Sequence, residues 1–88
     1  MQNPFIKPVS CTFARQCTFA DTKETKRFND RTFVAMSETD ARKLVDQWNK
    51  SSDNWKYWVI SVSPCPLLPE GDWLEEVGVK YQFAKEAS

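Results

Sequence analysis

Ser37-Glu38-Thr39-Asp40 opens the segment that most restricts how this chain can fold. A serine hydroxyl at a helix N-cap accepts a hydrogen bond from an otherwise unpaired backbone N–H, and acids in the first turn complement the positive end of the helix dipole. Asp40 holds the capping-box position, a shorter substitute for the usual Glu. Ala41, Leu44, Val45 and Trp48 follow at i, i+3, i+4 and i+7, a single apolar stripe, while Arg42, Lys43, Asp46, Gln47 and Lys50 occupy the other sides. The spacing predicts one helix over 38–49, ending toward Asn49-Lys50-Ser51-Ser52-Asp53-Asn54. A helix with one apolar stripe must lie on another layer, and the segments on either side of it read as strands.

The first strand is expected from about Val9 to Ala20, with Asp21-Thr22-Lys23-Glu24-Thr25-Lys26 as a hairpin loop that lacks glycine. A second strand covers about Arg27 to Met36, where Phe28, Thr32, Val34 and Met36 alternate with Arg27, Asn29, Arg31, Phe33 and Ala35. Its stretch Phe33-Val34-Ala35-Met36 reads as buried on both sides. The third strand is Lys56 to Val62, with Trp58, Ile60 and Val62 facing one way. Pro64-Cys65-Pro66-Leu67-Leu68-Pro69 is expected to be loop, because its prolines remove ladder donors. Asp72 is placed to cap a short turn through Trp73-Leu74-Glu75-Glu76, and Val77, Val79, Tyr81 and Phe83 alternate as a fourth strand. Residues 1–8, with Pro4 and Pro8 around Phe5-Ile6, read as an extended arm, and the tail from Lys85 is expected to fray. The fold class is α+β: a β-β-α-β-β chain, an antiparallel sheet of about four strands with one amphipathic helix on a face, in a single domain spanning 1–88.

The chain spells one word twice, Cys11-Thr12-Phe13-Ala14 and Cys17-Thr18-Phe19-Ala20. Six residues is an even step, so in one strand Cys11, Phe13, Cys17 and Phe19 share a face, with the two sulfurs ~20 Å apart at about 3.3 Å per residue. That separation rules out a disulfide or a shared metal ion within the strand. A turn between them would fall on Arg15-Gln16, which carries no turn-forming residue. With three cysteines, no histidine and no C-x-x-C spacing, the thiols read as small buried apolar groups of a reduced interior. Arg15 interrupts the apolar face, so the strand there is expected to bend, to lie at an edge, or to lead Arg15 to solvent.

The same inventory restricts the chemistry. Without histidine there is no Ser-His-Asp or Cys-His arrangement, and with only Gly71 and Gly78 no phosphate-cradling loop can be written. No spacing isolates a pair of carboxylates for acid–base work. A carboxylate-bound Mg²⁺ stays open, with nothing pointing to one. The expectation is therefore no catalysis, no cofactor and no metal. No run reaches the ~18 apolar residues of a membrane span, and Met1-Gln2-Asn3-Pro4 does not begin like a signal peptide, so the chain is expected in the cytoplasm.

What remains is binding. An 88-residue chain buries only roughly 60–65% of its unfolded surface, yet this one carries six Phe, four Trp and two Tyr. After Trp48 and Trp58 are assigned to the core, Trp55, Tyr57 and Trp73 are left over, either to close the open end of a small core or to anchor a partner, since Trp and Tyr dominate interface hot spots. Charge balances overall, twelve basic against twelve acidic, but residues 1–36 carry +3 and residues 70–88 carry −3. The leading candidates for partner binding are Trp55, Trp73, Glu75 and Glu76 at one end of the domain, where Glu70, Asp72, Glu75 and Glu76 make an acidic ridge beside Trp73. The alternative is a basic patch, Lys26, Arg27 and Arg31, on the first hairpin near Lys23, Phe28 and Phe33. That patch would hold nucleic acid only weakly, because Asp21, Glu24 and Asp30 interrupt it.

The strand that feeds directly into a Ser-capped helix, Phe33-Val34-Ala35-Met36-Ser37-Glu38-Thr39-Asp40-Ala41, resembles small phage and mobile-element proteins that carry a helix on an antiparallel sheet, anti-CRISPR inhibitors among them. The likeness covers residues 27–62 and is one of architecture, so it transfers no functional residue. It implies a stoichiometric inhibitor that blocks a surface of a larger host defence complex by protein–protein contact.

Overall fold

The computed structural model describes residues 8–65 and 71–83. They form an α+β unit with elements in the order β1 (Val9–Thr18), β2 (Thr25–Ala35), α1 (Glu38–Ser51), β3 (Trp55–Pro64), β4 (Leu74–Glu76) and β5 (Val79–Phe83). The sheet has five strands in the order β3-β1-β2-β5-β4, and every neighbouring pair is antiparallel. The arm (residues 1–7), the segment 66–70 and the tail (84–88) lie outside the described residues.

The helix begins as its cap dictates. Ser37 is extended, and its Oγ accepts from Asp40 N at 3.1 Å. Ala41, Leu44 and Val45 are buried, Trp48 packs against them from the edge of the core, and Glu38–Arg42 and Asp46–Lys50 pair along the outer surface. Under the helix lie Cys11 and Phe13 of β1, Phe33 and Ala35 of β2, and Val79 and Tyr81 of β5. Cys11 and Cys17 are buried free thiols on one strand, and burial pushes the Cys11 thiol above its ordinary range. Among the described residues no group of three or more Cys, Asp or Glu side chains could hold a metal ion.

The structure corrects the reading of strand faces. Between Phe13 and Arg15 the β1–β2 pairing steps from Arg31 to Phe28, so β2 carries one extra residue there; between Thr12 and Phe13 the β1–β3 pairing steps from Ser61 to Val59, so Ile60 is the extra residue of β3. Both bulges lie opposite the middle of β1, which itself carries no extra residue, and a one-residue slip exchanges the two faces of a strand. Phe28 therefore joins the helix side together with Arg31 and Phe33, instead of sharing a face with Thr32 and Val34. Trp58 faces away from the helix while Val62 faces it, and Ile60 is 46% exposed. Phe33, Val34 and Ala35 are buried as expected, but Met36, read as part of the same buried stretch, is half-buried and lies past the end of β2.

The C-terminal part also differs. Trp73-Leu74-Glu75-Glu76 is not a helical turn: Leu74–Glu76 is an edge strand paired with β5. Val77 (φ 49°) and Gly78 (φ 80°) form a two-residue turn with both residues left-handed, the conformation that matches hairpin twist, although Val is a poor occupant of it. The segment taken as one strand from Val77 is thus a turn followed by β5. In the first hairpin, Lys23 (φ 62°) supplies the left-handed residue that glycine would normally supply. Pro64 ends β3, an edge strand, where a missing N–H is tolerated.

Candidate functional site

The helix covers only part of its side of the sheet. Its last turn ends over Tyr57 of β3: Asn49 Nδ2 donates to Tyr57 O at 2.8 Å, and Tyr57 N donates to Asn49 Oδ1 at 2.8 Å. A side-chain amide thereby takes the place of a neighbouring strand on the outer edge of β3, which closes that point to edge pairing. Beyond it the sheet continues through two cross-strand rows on the helix side. One is Phe28–Arg15–Tyr57 and the next is Lys26–Cys17–Trp55. These rows form a platform. Phe28 and Trp55 have ring centroids 5.2 Å apart, and Trp55 stacks on Tyr57 at 6.1 Å with 16° between the planes. The Arg15 guanidinium sits 5.8 Å from the Phe28 centroid and the Lys26 ammonium 5.4 Å from it, within reach of cation–π attraction. Arg15 Nε also donates to Asn29 O at 3.3 Å, where the bulge displaces the β2 backbone.

A cleft of about 140 Å³ lies where the helix meets the platform, lined by Phe13, Arg15, Arg31, Trp48, Tyr57 and Phe83. Its floor is aromatic. Trp48 stands 5.1 Å from Phe13 and 5.5 Å from Tyr57, and it stacks on Phe83 at 6.3 Å and 11°. Its rim is cationic: the Arg31 guanidinium lies 4.6 Å from the Phe83 ring centroid, and Arg15 stands on the other row. The Tyr57 hydroxyl is held neutral to higher pH than usual, first by burial, with the Arg15 charge opposing. On the far side of Trp48, its Nε1–H donates to Glu76 Oε2 at 3.3 Å and the Tyr81 hydroxyl reaches the same oxygen at 3.5 Å. Burial, then the charge and hydrogen bond of Glu76, raise the Tyr81 pKa.

The residues singled out from the sequence are redistributed. Trp55 lies on β3 whereas Trp73, Glu75 and Glu76 lie at β4, the opposite edge of the sheet, so the four do not meet at one end. Glu76 turns inward to Trp48 and Tyr81, while Glu75 pairs in register with Lys80 on the other side of β4. Lys26 and Arg31 belong to the helix side, but Arg27 faces away, over the Trp58 ring at 5.5 Å and bonded to Asp30 at 3.1 Å. The platform combines one member of the first candidate set, Trp55, with one member of the second, Lys26, while Arg31 lies at the adjoining cleft. Tyr57 was noted only as a surplus aromatic and Phe28 only as a neighbour of the basic patch, and Arg15 was not read as a binding residue. Their signal was the break of the apolar face at Arg15, whose consequence depends on the bulge opposite. Among the described residues no helix is long and apolar enough to cross a membrane. No known protein family, curated protein or solved structure matches the chain.

Proposed function

We propose that this chain is a non-catalytic binding protein and that its working surface is the platform of Arg15, Lys26, Phe28, Trp55 and Tyr57. The observation that carries the reading is the pair of cations set against aromatic rings past the end of the helix. Arg, Trp, Tyr and Phe are the residue types that supply most of the energy at the centre of protein interfaces. The partner is a protein whose contact surface is acidic and apolar. Nucleic acid is the second reading, favoured by the stacked Trp55 and Tyr57 rings, but few cations are present: with Arg15, Lys26 and Arg31 neutralising phosphates, counterion release would involve only about three charges, which gives weak binding that fades in moderate salt. The resemblance to small phage-encoded inhibitors widens the proposal to a stoichiometric blocker of a host defence complex, acting in the host cytoplasm.

Quantitative capture from bacterial lysate tests this, comparing the wild-type chain with Lys26→Glu, Trp55→Ala and Trp73→Ala. A protein retained by the wild type and by Trp73→Ala, and lost with both platform variants, is the expected result. Equal retention by all three variants would remove the platform from consideration. Binding of single- and double-stranded oligonucleotides at two salt concentrations tests the second reading, and no binding at low salt eliminates it.

A further inference from the structure

The geometry points to the cleft between α1 and the platform as a specificity pocket for an aromatic ring that carries a carboxylate, presented by an acidic–aromatic segment of the partner. The inference rests on the platform being the working surface, and it names what the centre of that surface reads. Three observations converge on it. The volume, about 140 Å³, is that of one ring: an apolar cavity of roughly 150 Å³ in a protein interior holds benzene. The floor offers ring faces and edges, because Phe13, Tyr57 and Phe83 surround Trp48 at tilted and stacked angles and leave an incoming ring tilted or offset geometries of its own. The mouth carries the Arg15 guanidinium, and among the described residues that line the cleft none is acidic.

A guanidinium presents a planar fork of N–H donors that matches a carboxylate. Arg15 is fixed for that role. Its Nε donates to Asn29 O at 3.3 Å and its guanidinium carbon lies 5.8 Å from the Phe28 ring centroid, contacts that restrain the side chain, and it forms no ion pair among the described residues. An anion at the mouth would thus meet a charge whose ordering cost is partly met by the fold. Among the described residues, the carboxylate bonded to the aromatic cluster, Glu76, lies on the other side of Trp48 and is held there by Trp48 and Tyr81.

Two-dimensional NMR of the ¹⁵N-labelled chain, titrated with phenylacetate, phenylacetamide and phenyl phosphate, tests the pocket independently of any partner. Phenylacetate is expected to bind with a Kd on the order of millimolar, as befits a ligand of this size, and to move the Trp48 indole, the Arg15 Nε–H and the Tyr57 amide. Phenylacetamide, with the same ring and no charge, is expected to bind about 10-fold more weakly. Arg15→Gln should bring phenylacetate down to the level of the amide with the rest of the spectrum intact, and Arg15→Lys should recover part of the difference. Equal binding of phenylacetate and phenylacetamide, shifts confined to other residues, or no shifts would overturn the pocket. Tighter binding of phenyl phosphate than of phenylacetate would overturn the carboxylate assignment in favour of a phosphate-bearing ligand. Loss of lysate capture with an intact phenylacetate response would reject the proposed function while leaving the pocket; the reverse would do the opposite.

Discussion

The two halves of the helix side are built from similar residues and do different things. On the covered half, Phe13, Phe33, Tyr81 and Phe83 close around Trp48, whose N–H is tied to Glu76. On the uncovered half, Phe28, Trp55 and Tyr57 make comparable ring contacts but have Arg15 and Lys26 where the covered half has Leu44 and Val45. Aromatic content alone therefore does not separate core from binding surface. What separates them is whether a second layer arrives, and α1 ends at Ser51, with Asn49 fastened to Tyr57 at the boundary.

The largest expected effect divides the halves directly. Trp48→Ala should cost about 3–5 kcal/mol, seen as a loss of the urea midpoint, because it empties the junction of helix and sheet. Trp55→Ala should cost about 1 kcal/mol, since its ring is only half-buried, while abolishing partner capture. Similar losses for the two would break the comparison.

Glu76→Ala comes next, at about 1–2 kcal/mol, because one carboxylate oxygen serves both Trp48 and Tyr81 and its removal leaves two part-buried donors without it. Partner capture should survive this change, in contrast to the role that its place in an acidic ridge suggested. Val77→Asn should stabilise by about 0.5–1 kcal/mol, measured as a rise in Tm, because Asn accepts the left-handed conformation that the β4–β5 turn imposes on a β-branched residue. That gain would reach the covered half alone and should leave phenylacetate binding unchanged.

The smallest effect is a pH dependence. The Cys11 thiol and the Tyr81 hydroxyl are both raised, chiefly by burial, above ordinary values of 9.0 and 10.0. In such groups the unfolded chain gives up its proton first, so stability is constant below the ordinary value and falls as pH rises past it. The urea midpoint is expected to hold up to about pH 9 and to decline above it, with the decline in Cys11→Ala starting only in the tyrosine range.

Local signals made part of this legible in advance. The cap at Ser37, the stripe of Ala41, Leu44, Val45 and Trp48, the burial of Phe33 to Ala35 and the placement of Cys11 and Cys17 on one strand all follow from short spacings. The edge strand Leu74–Glu76 was not legible, because three residues carry too little pattern to outweigh the capping look of Asp72. Nor was the platform, which exists because the bulge in β2 turns Phe28 toward Arg15.

By itself the sequence determined that one amphipathic helix would lie on an antiparallel sheet, since helix periodicity and capping are written within a few neighbouring residues. Only the tertiary structure decided which aromatic rings would be sealed and which left to meet cations. That choice depends on strand register, where a slip of a single residue exchanges the two faces, and on where the helix stops relative to strands that are distant in the chain.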